Sequence, residues 1–247
     1  MKSRFPLVVG HRGYRSRYPE NTLLGMRKAF DTGADGVECD VQKTEDGRYV
    51  VIHDPTTLRV TGREGEIASM SFKEVRELDA GEGERIPELI EVLGVIPPGK
   101  FLDMELKADT VNERDCGEIE EIVRGRIDPS FLMISSFETR LLLHFRRRGY
   151  TVGLLVGQTL ADRGAAAIAS ALLRLRPRYV NLPMQTFHVL GPLKARLFLL
   201  LLRLLGFRLL FWTVNDVREA LSIADRCRII VTDEVELMLG LKHSRGA

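Results

Sequence analysis

Strand-like and helix-like patterns alternate from one end of this chain to the other, and that alternation limits the folds open to it. Strand-like runs fall at Leu7–Gly10, Gly36–Val41, Phe101–Leu106, Phe131–Ser135, Val152–Val156, Tyr179–Leu182, Leu209–Val214 and Ile229–Thr232. Helical patterns lie between and after them, at Thr22–Asp31, Phe72–Leu78, Pro87–Leu93, Asn112–Arg124, Glu138–Arg147, Ala161–Arg174, Leu193–Leu205, Val217–Ala224 and Val235–Leu241. Eight strands interleaved with helices predict an α/β protein, a (β/α)8 TIM barrel formed as a single domain over residues 1–247. An open doubly wound sheet is the rival. It would need a glycine-rich dinucleotide loop after a strand, and none is present.

One run does not fit the barrel count. Tyr49–His53 follows the turn signal Asp46-Gly47, so it is expected to pair antiparallel with Gly36–Val41 as a hairpin projecting from the barrel top. Residues 54–83 then form a compact, loop-rich insertion holding one short helix.

Catalytic groups of such barrels sit at the C-terminal strand ends, so polar residues inside apolar strands are informative there. Residues two apart in a strand share a face. In "GVECDVQ", Glu38, Asp40 and Gln42 share one face and Val37, Cys39 and Val41 the other. In "FLDMELK", Asp103, Glu105 and Lys107 share one face and Leu102, Met104 and Leu106 the other. The apolar faces should pack on helices, which turns the carboxylates inward. Buried carboxylates must be paired or bind a metal. Ion pairs with Lys107 and Arg12 would satisfy them. So would a hard divalent cation, Mg²⁺ or Ca²⁺, since all the ligands are oxygens. Two adjacent strands with the same pattern favour the metal site. His11 ends the first strand and His53 the hairpin strand, with Asp54 next to it. Two histidines over a carboxylate cluster suggest an acid–base pair. His144, His188 and His243 fall in helix or loop contexts and are expected to be structural. A metal, Arg12, Lys107 and two histidines together point to phosphodiester cleavage, because arginine and metal both neutralise phosphoryl oxygens.

The net charge of +2 and the absence of a basic, aromatic-rich stripe argue against nucleic acid as a partner. Three scattered cysteines and no secretory h-region suggest a reducing, cytoplasmic setting. The stretch "LGPLKARLFLLLLRLLGFRLLFW" is broken by Lys194, Arg196, Arg203 and Arg208, so it reads as an apolar helix and a strand and not as a membrane span. The helix at 193–205 either packs on the barrel, forms a homodimer interface, or touches a membrane peripherally with its surplus apolar face and brings a lipid-linked diester to the site.

The pieces "GHRG" with "PENT", "GADGVECDVQKTEDGRYVVIHD", "IPELIEVL", "MELK", "SSF", "WTVN" and "TDE" resemble the glycerophosphodiester phosphodiesterase family over nearly the whole chain. The resemblance implies a (β/α)8 barrel that hydrolyses a small glycerophosphodiester substrate to sn-glycerol 3-phosphate and an alcohol. It implies that Glu38, Asp40 and Glu105 bind the metal and that His11 and His53 are the acid–base pair, with a neighbouring glycerol hydroxyl attacking phosphorus through a cyclic phosphate. Arg12 and Lys107 would hold phosphate oxygens and Trp212 would line the glycerol side. Glu20 and Asn21 would organise the first loop, and Asp54 would support His53. Asp103 stands where family members commonly carry Asn. It is expected to be either a partner of Lys107 or an extra ligand. Val235 stands where the family usually has Pro after "TDE". A lysophospholipase D with a wider entrance would use the same residues. A non-catalytic phosphate-ester-binding barrel would lack a histidine or a ligand, and none is lacking.

Overall fold

The computed structural model describes residues 5–157 and 164–246. Its strands are β1 (Leu7–Gly10), β2 (Gly36–Lys43), β3 (Tyr49–Val51), β4 (Phe101–Leu106), β5 (Leu132–Ser136), β6 (Thr151–Leu155), β7 (Tyr179–Pro183), β8 (Arg208–Trp212) and β9 (Ile229–Thr232). The sheet order β1-β9-β8-β7-β6-β5-β4-β2 closes on itself through β1–β2, and every pairing in that ring is parallel. This is the expected (β/α)8 barrel. β3 adds antiparallel to β2, with Val41 opposite Val51 and Lys43 opposite Tyr49, as the Asp46-Gly47 turn predicts. The strand stops at Val51, short of His53. One further backbone bond, Ile52 N–H to the Asp40 carbonyl at 3.0 Å, carries the ladder towards the histidine.

The alternation read in the strands sorts the core into two layers. Val37, Cys39, Val41, Leu102, Met104 and Leu106 belong to the large apolar layer between strands and helices. Val9, Phe101, Met133, Tyr179, Leu210, Ile229 and Val231 fill the floor of the barrel. Above that floor the inward positions turn polar, and there the site begins.

Helix α1 (Leu23–Thr32) starts where "PENT" ends. Thr22 is its N-cap, accepting from the Gly25 N–H at 3.1 Å, a contact that stabilises a helix by about 1 kcal/mol. The insertion is richer than expected. It holds two short helices, Leu58–Thr61 and Phe72–Arg76, and a 3₁₀ turn at Ile67–Ser69, closed over a satellite cluster of Ile52, Ile67, Val75, Leu78 and Ile86. Elements of one turn carry no apolar periodicity, which is why the sequence shows only one of them. The helix expected at Ala161–Arg174 is seen as Ala165–Leu175, and residues 161–163 lie outside the described residues. Among the described residues no helix is long and apolar enough to cross a membrane.

Candidate active site

Parallel register makes the acidic cluster. β2 and β4 pair with Glu38 beside Asp103 and Asp40 beside Glu105. Because both strands alternate in phase, all four carboxylates enter the barrel side by side, and all are buried. Glu38, Asp40 and Glu105 each offer an oxygen, and these oxygens lie within 4.8 Å of one another, the geometry of a single cation site.

The first loop folds down onto this cluster. Gly13 takes φ 86°, and a Cβ there would meet the Gly25 carbonyl carbon at 2.7 Å, so only glycine lets β1 turn this tightly against α1. Arg12 (φ 53°) and Asn21 (φ 56°) are left-handed without being glycine, a conformation costing about 1–3 kcal/mol each that clusters at functional sites. Their bonds account for it. The Arg12 N–H donates to Glu38 Oε2 at 2.9 Å, the Asn21 N–H to the Arg12 carbonyl at 2.9 Å, and Asn21 Nδ2 to Asp40 Oδ2 at 2.8 Å. Glu20 anchors the loop from outside, accepting from Arg12 Nη1 at 2.9 Å and from Arg59 Nη2 at 2.6 Å.

Two cations answer four carboxylates. Lys107 Nζ bridges Asp40 Oδ1 at 2.8 Å and Glu105 Oε1 at 2.5 Å, and Arg12 Nε lies 3.3 Å from Asp40 Oδ2. Burial works against the Asp40 charge, but Lys107 and Arg12 outweigh it and hold this carboxyl below the usual range. The others are short of partners. Burial, then the charges of Asp40 and Glu105, push Glu38 well above the usual range, and burial raises Glu105 to about 7 despite Lys107. Asp103 is lifted to about 8 by burial. The pairing that sequence alone allowed therefore exists but does not satisfy the cluster, and the shortfall of positive charge is what a divalent ion would supply.

Asp103 corrects one expectation. It is neither a partner of Lys107 nor one of the three clustered ligands. It stands two residues before Glu105 on β4, level with Glu38 across the pairing, and accepts from Ser135 Oγ at 2.6 Å.

Both histidines are held by carboxylates through Nδ1. His11 Nδ1 is 2.7 Å from Asp233 Oδ1, and His53 Nδ1 is 2.6 Å from Asp54 Oδ1. A carboxylate only accepts, so Nδ1 carries the proton in both rings and Nε2 is the working nitrogen. Asp233 is fixed in turn by Asn215 Nδ2 at 2.8 Å, and Asp54 by Arg59 Nε at 2.5 Å. Burial lowers the His53 pKa, and Lys107 and Arg12 lower it further against the opposing pull of Asp40. Asp233, Asn215 and Arg59 were not singled out from sequence. Asp233 and Asn215 stood in the motifs "TDE" and "WTVN" without an assigned role, and Asp233 directly follows the last barrel strand.

His11, Arg12, Glu38, His53, Asp103, Glu105, Lys107 and Trp212 line one cavity of about 110 Å³ at the C-terminal strand ends. Its far wall is Phe137, Leu155, Leu210 and Val231, with Phe137 edge-on to Trp212 at 6.1 Å. Two polar groups in that wall have no partner among the described residues: the Trp212 Nε1–H and both amide atoms of the fully buried Asn181. His53, Glu105, Lys107 and Phe137 also border an outer groove of about 350 Å³ that opens past Pro55, Asp109 and Glu138. His144 lies elsewhere, bound to Glu120 at 2.9 Å.

Comparison with known proteins gives a consistent picture. The profile of the glycerophosphoryl diester phosphodiesterase family matches residues 11–237. A glycerophosphodiester phosphodiesterase of Caldanaerobacter subterraneus is 32% identical, over 97% of this chain and 99% of that one. The crystal structure of a glycerophosphodiester phosphodiesterase from Thermotoga maritima superposes with TM-score 0.82 at 31% identity, covering 96% of this chain and 98% of that one. A phosphodiesterase from Oleispira antarctica, solved with the product sn-glycerol-3-phosphate, gives TM-score 0.82 at 25% identity and covers 96% of each chain.

Proposed function

The chain belongs to the glycerophosphoryl diester phosphodiesterase family, and from that premise we propose that the barrel mouth hydrolyses glycerophosphodiesters to sn-glycerol 3-phosphate and an alcohol by paired histidine acid–base catalysis. The observation that carries this reading is the convergence of two carboxylate-bound histidines on the cavity rimmed by Glu38 and Glu105, with Asp40 directly behind.

Glu38, Asp40 and Glu105 fit a divalent cation, Mg²⁺ or Ca²⁺. When bound, such an ion neutralises phosphoryl oxygen charge as it grows in the transition state. Arg12 and Lys107 hold phosphate oxygens from the same rim. His53, whose neutral form burial favours, takes the proton of the attacking oxygen at Nε2. His11 donates its Nε2 proton to the departing alcohol, and Asp233 stabilises the imidazolium from behind. The order of attack follows the family resemblance: the neighbouring glycerol hydroxyl first, then water on the cyclic phosphate.

The inner cavity is the place for the glycerol moiety. Trp212 and Phe137 cover its carbon face, and Asn181 and the Trp212 indole N–H are donors without a partner among the described residues, suited to hydroxyl groups. The alcohol then leaves through the outer groove. A cavity this small supports a short diester over a lysophospholipid, and turnover of glycerophosphocholine against lysophosphatidylcholine separates the two.

The test is a metal and substrate panel on the purified protein, read as release of glycerol 3-phosphate. Metal-dependent release that His11→Ala and His53→Ala each abolish is the expected result. Full turnover by either variant would overturn the acid–base assignment.

A further inference from the structure

The helix α2 of the Leu-rich segment (Pro192–Leu204) has two apolar faces where a barrel helix needs one. Ala195, Leu199 and Leu202 are buried against the barrel. Opposite them, Leu193, Leu197, Leu200 and Leu204 recur at i, i+4, i+7 and i+11, which is a single stripe on the far side. These four are 81%, 67%, 51% and 75% exposed, and Leu201 and Leu205 widen the stripe. A solvated helix places its charges in that position. Here the charges flank the stripe instead: Arg196 and Arg203 on one side and Lys194 on the other, all exposed.

The stretch of chain that contains the helix is one-sided in charge. Between Asp162 and Asp216 the sequence has eight lysines and arginines and no aspartate or glutamate. That decides between the occupants of the stripe. A second copy docking through the same face about a two-fold axis would set these cations against their own duplicates, with no carboxylate from the segment to answer them. What fits is an apolar interior beneath an anionic layer.

We propose that this helix docks the protein on the surface of a bilayer containing anionic phospholipids. The leucine stripe lies at the boundary between headgroups and acyl chains, and Lys194, Arg196 and Arg203 reach the headgroup phosphates. The helix begins at the same end of the barrel as the catalytic mouth, where Lys194 borders a cavity with Gly157 and Pro183 at the ends of β6 and β7. Docking therefore keeps the mouth at the edge of the lipid surface. The inference does not depend on the diesterase reading, since it concerns a face outside the barrel.

Flotation of the full chain with phosphatidylglycerol-containing and with pure phosphatidylcholine vesicles tests it. At low salt the bound fraction should be about tenfold greater on the anionic vesicles, and high salt should weaken it. The double variant Leu197→Glu/Leu200→Glu should fall to background while turnover of a soluble diester stays within about twofold of the parent, which shows that the fold survives. Arg196→Gln/Arg203→Gln should lose the preference for anionic lipid. The proposal is overturned if the parent protein fails to float with anionic vesicles. It is equally overturned if light scattering shows a dimer that Leu197→Glu/Leu200→Glu dissolves, because the stripe is then a self-interface.

Discussion

Asp40 and Glu105 are register partners across the β2–β4 pairing, and one ammonium, Lys107 Nζ, bridges them at 2.8 and 2.5 Å. The bridge stabilises two of the clustered carboxylates, while among the described residues Glu38 is held through the Arg12 backbone N–H and has no side-chain cation of its own. A divalent ion bound only by the folded state raises stability by mass action, about 2.7 kcal/mol at a hundredfold excess over its Kd. Mg²⁺ or Ca²⁺ added to chelator-treated protein should therefore raise Tm by several degrees. Glu38→Gln and Glu105→Gln should remove most of that gain in the same thermal-shift titration.

Asp233 should matter about as much as a residue that touches substrate. Its contact with His11 at 2.7 Å fixes the tautomer that presents Nε2. Asp233→Asn keeps the shape but removes the charge that stabilises the His11 imidazolium. We expect kcat to fall about 10- to 100-fold, the range for a residue that orients a working imidazole, with KM nearly unchanged. Steady-state kinetics give the split between kcat and KM. A mere loss of stability would lower the amount of active protein without altering the pH profile.

The two carboxylates that hold the histidines were unequally legible. Asp54 follows His53 in the chain and could be read as its support. Asp233 lies 222 residues from His11, and the two meet only because the barrel closes with Gly10 opposite Thr232 in the β1–β9 register. The in-phase alternation of β2 and β4 was readable because it is local; it turned four carboxylates into one mouth, and the family resemblance picked Glu38, Asp40 and Glu105 out of them. Asp103 was placed on the correct face, but alternation within one strand could not name its partner, the Ser135 hydroxyl on the neighbouring strand. Of the insertion's two short helices only Phe72–Arg76 left a pattern, and Leu58–Thr61 left none.

The glycerol wall offers a test of substrate fit. Asn181 is wholly buried and its amide has no partner among the described residues, which costs free energy unless a ligand pairs with it. Asn181→Leu should cost the free protein little and should weaken substrate recognition by about 1–3 kcal/mol, a 5- to 150-fold loss in kcat/KM for glycerophosphodiesters. Trp212→Phe, which removes the indole N–H together with part of the ring that covers the carbon face, should show a loss of the same kind. Equal kcat/KM for parent and Asn181→Leu would place the hydroxyl contacts elsewhere.

Asp103 supplies a pH-dependent prediction. Burial lifts its folded pKa to about 8, against the opposing bond from Ser135 Oγ, while the unfolded chain titrates near 4. Between those values the unfolded state has lost the proton and the folded state still holds it. Stability from this group is therefore complete below about pH 4, falls as pH rises, and levels off above about pH 8. Asp103→Asn cannot titrate, yet its side-chain carbonyl can still accept from Ser135. In chelator-treated protein the variant should match the parent near pH 4 and be the more stable of the two at pH 8, with a higher Tm. Thermal unfolding at the two pH values measures the difference. A constant offset between parent and variant would mean that Asp103 is ionised throughout, with its charge met inside the barrel.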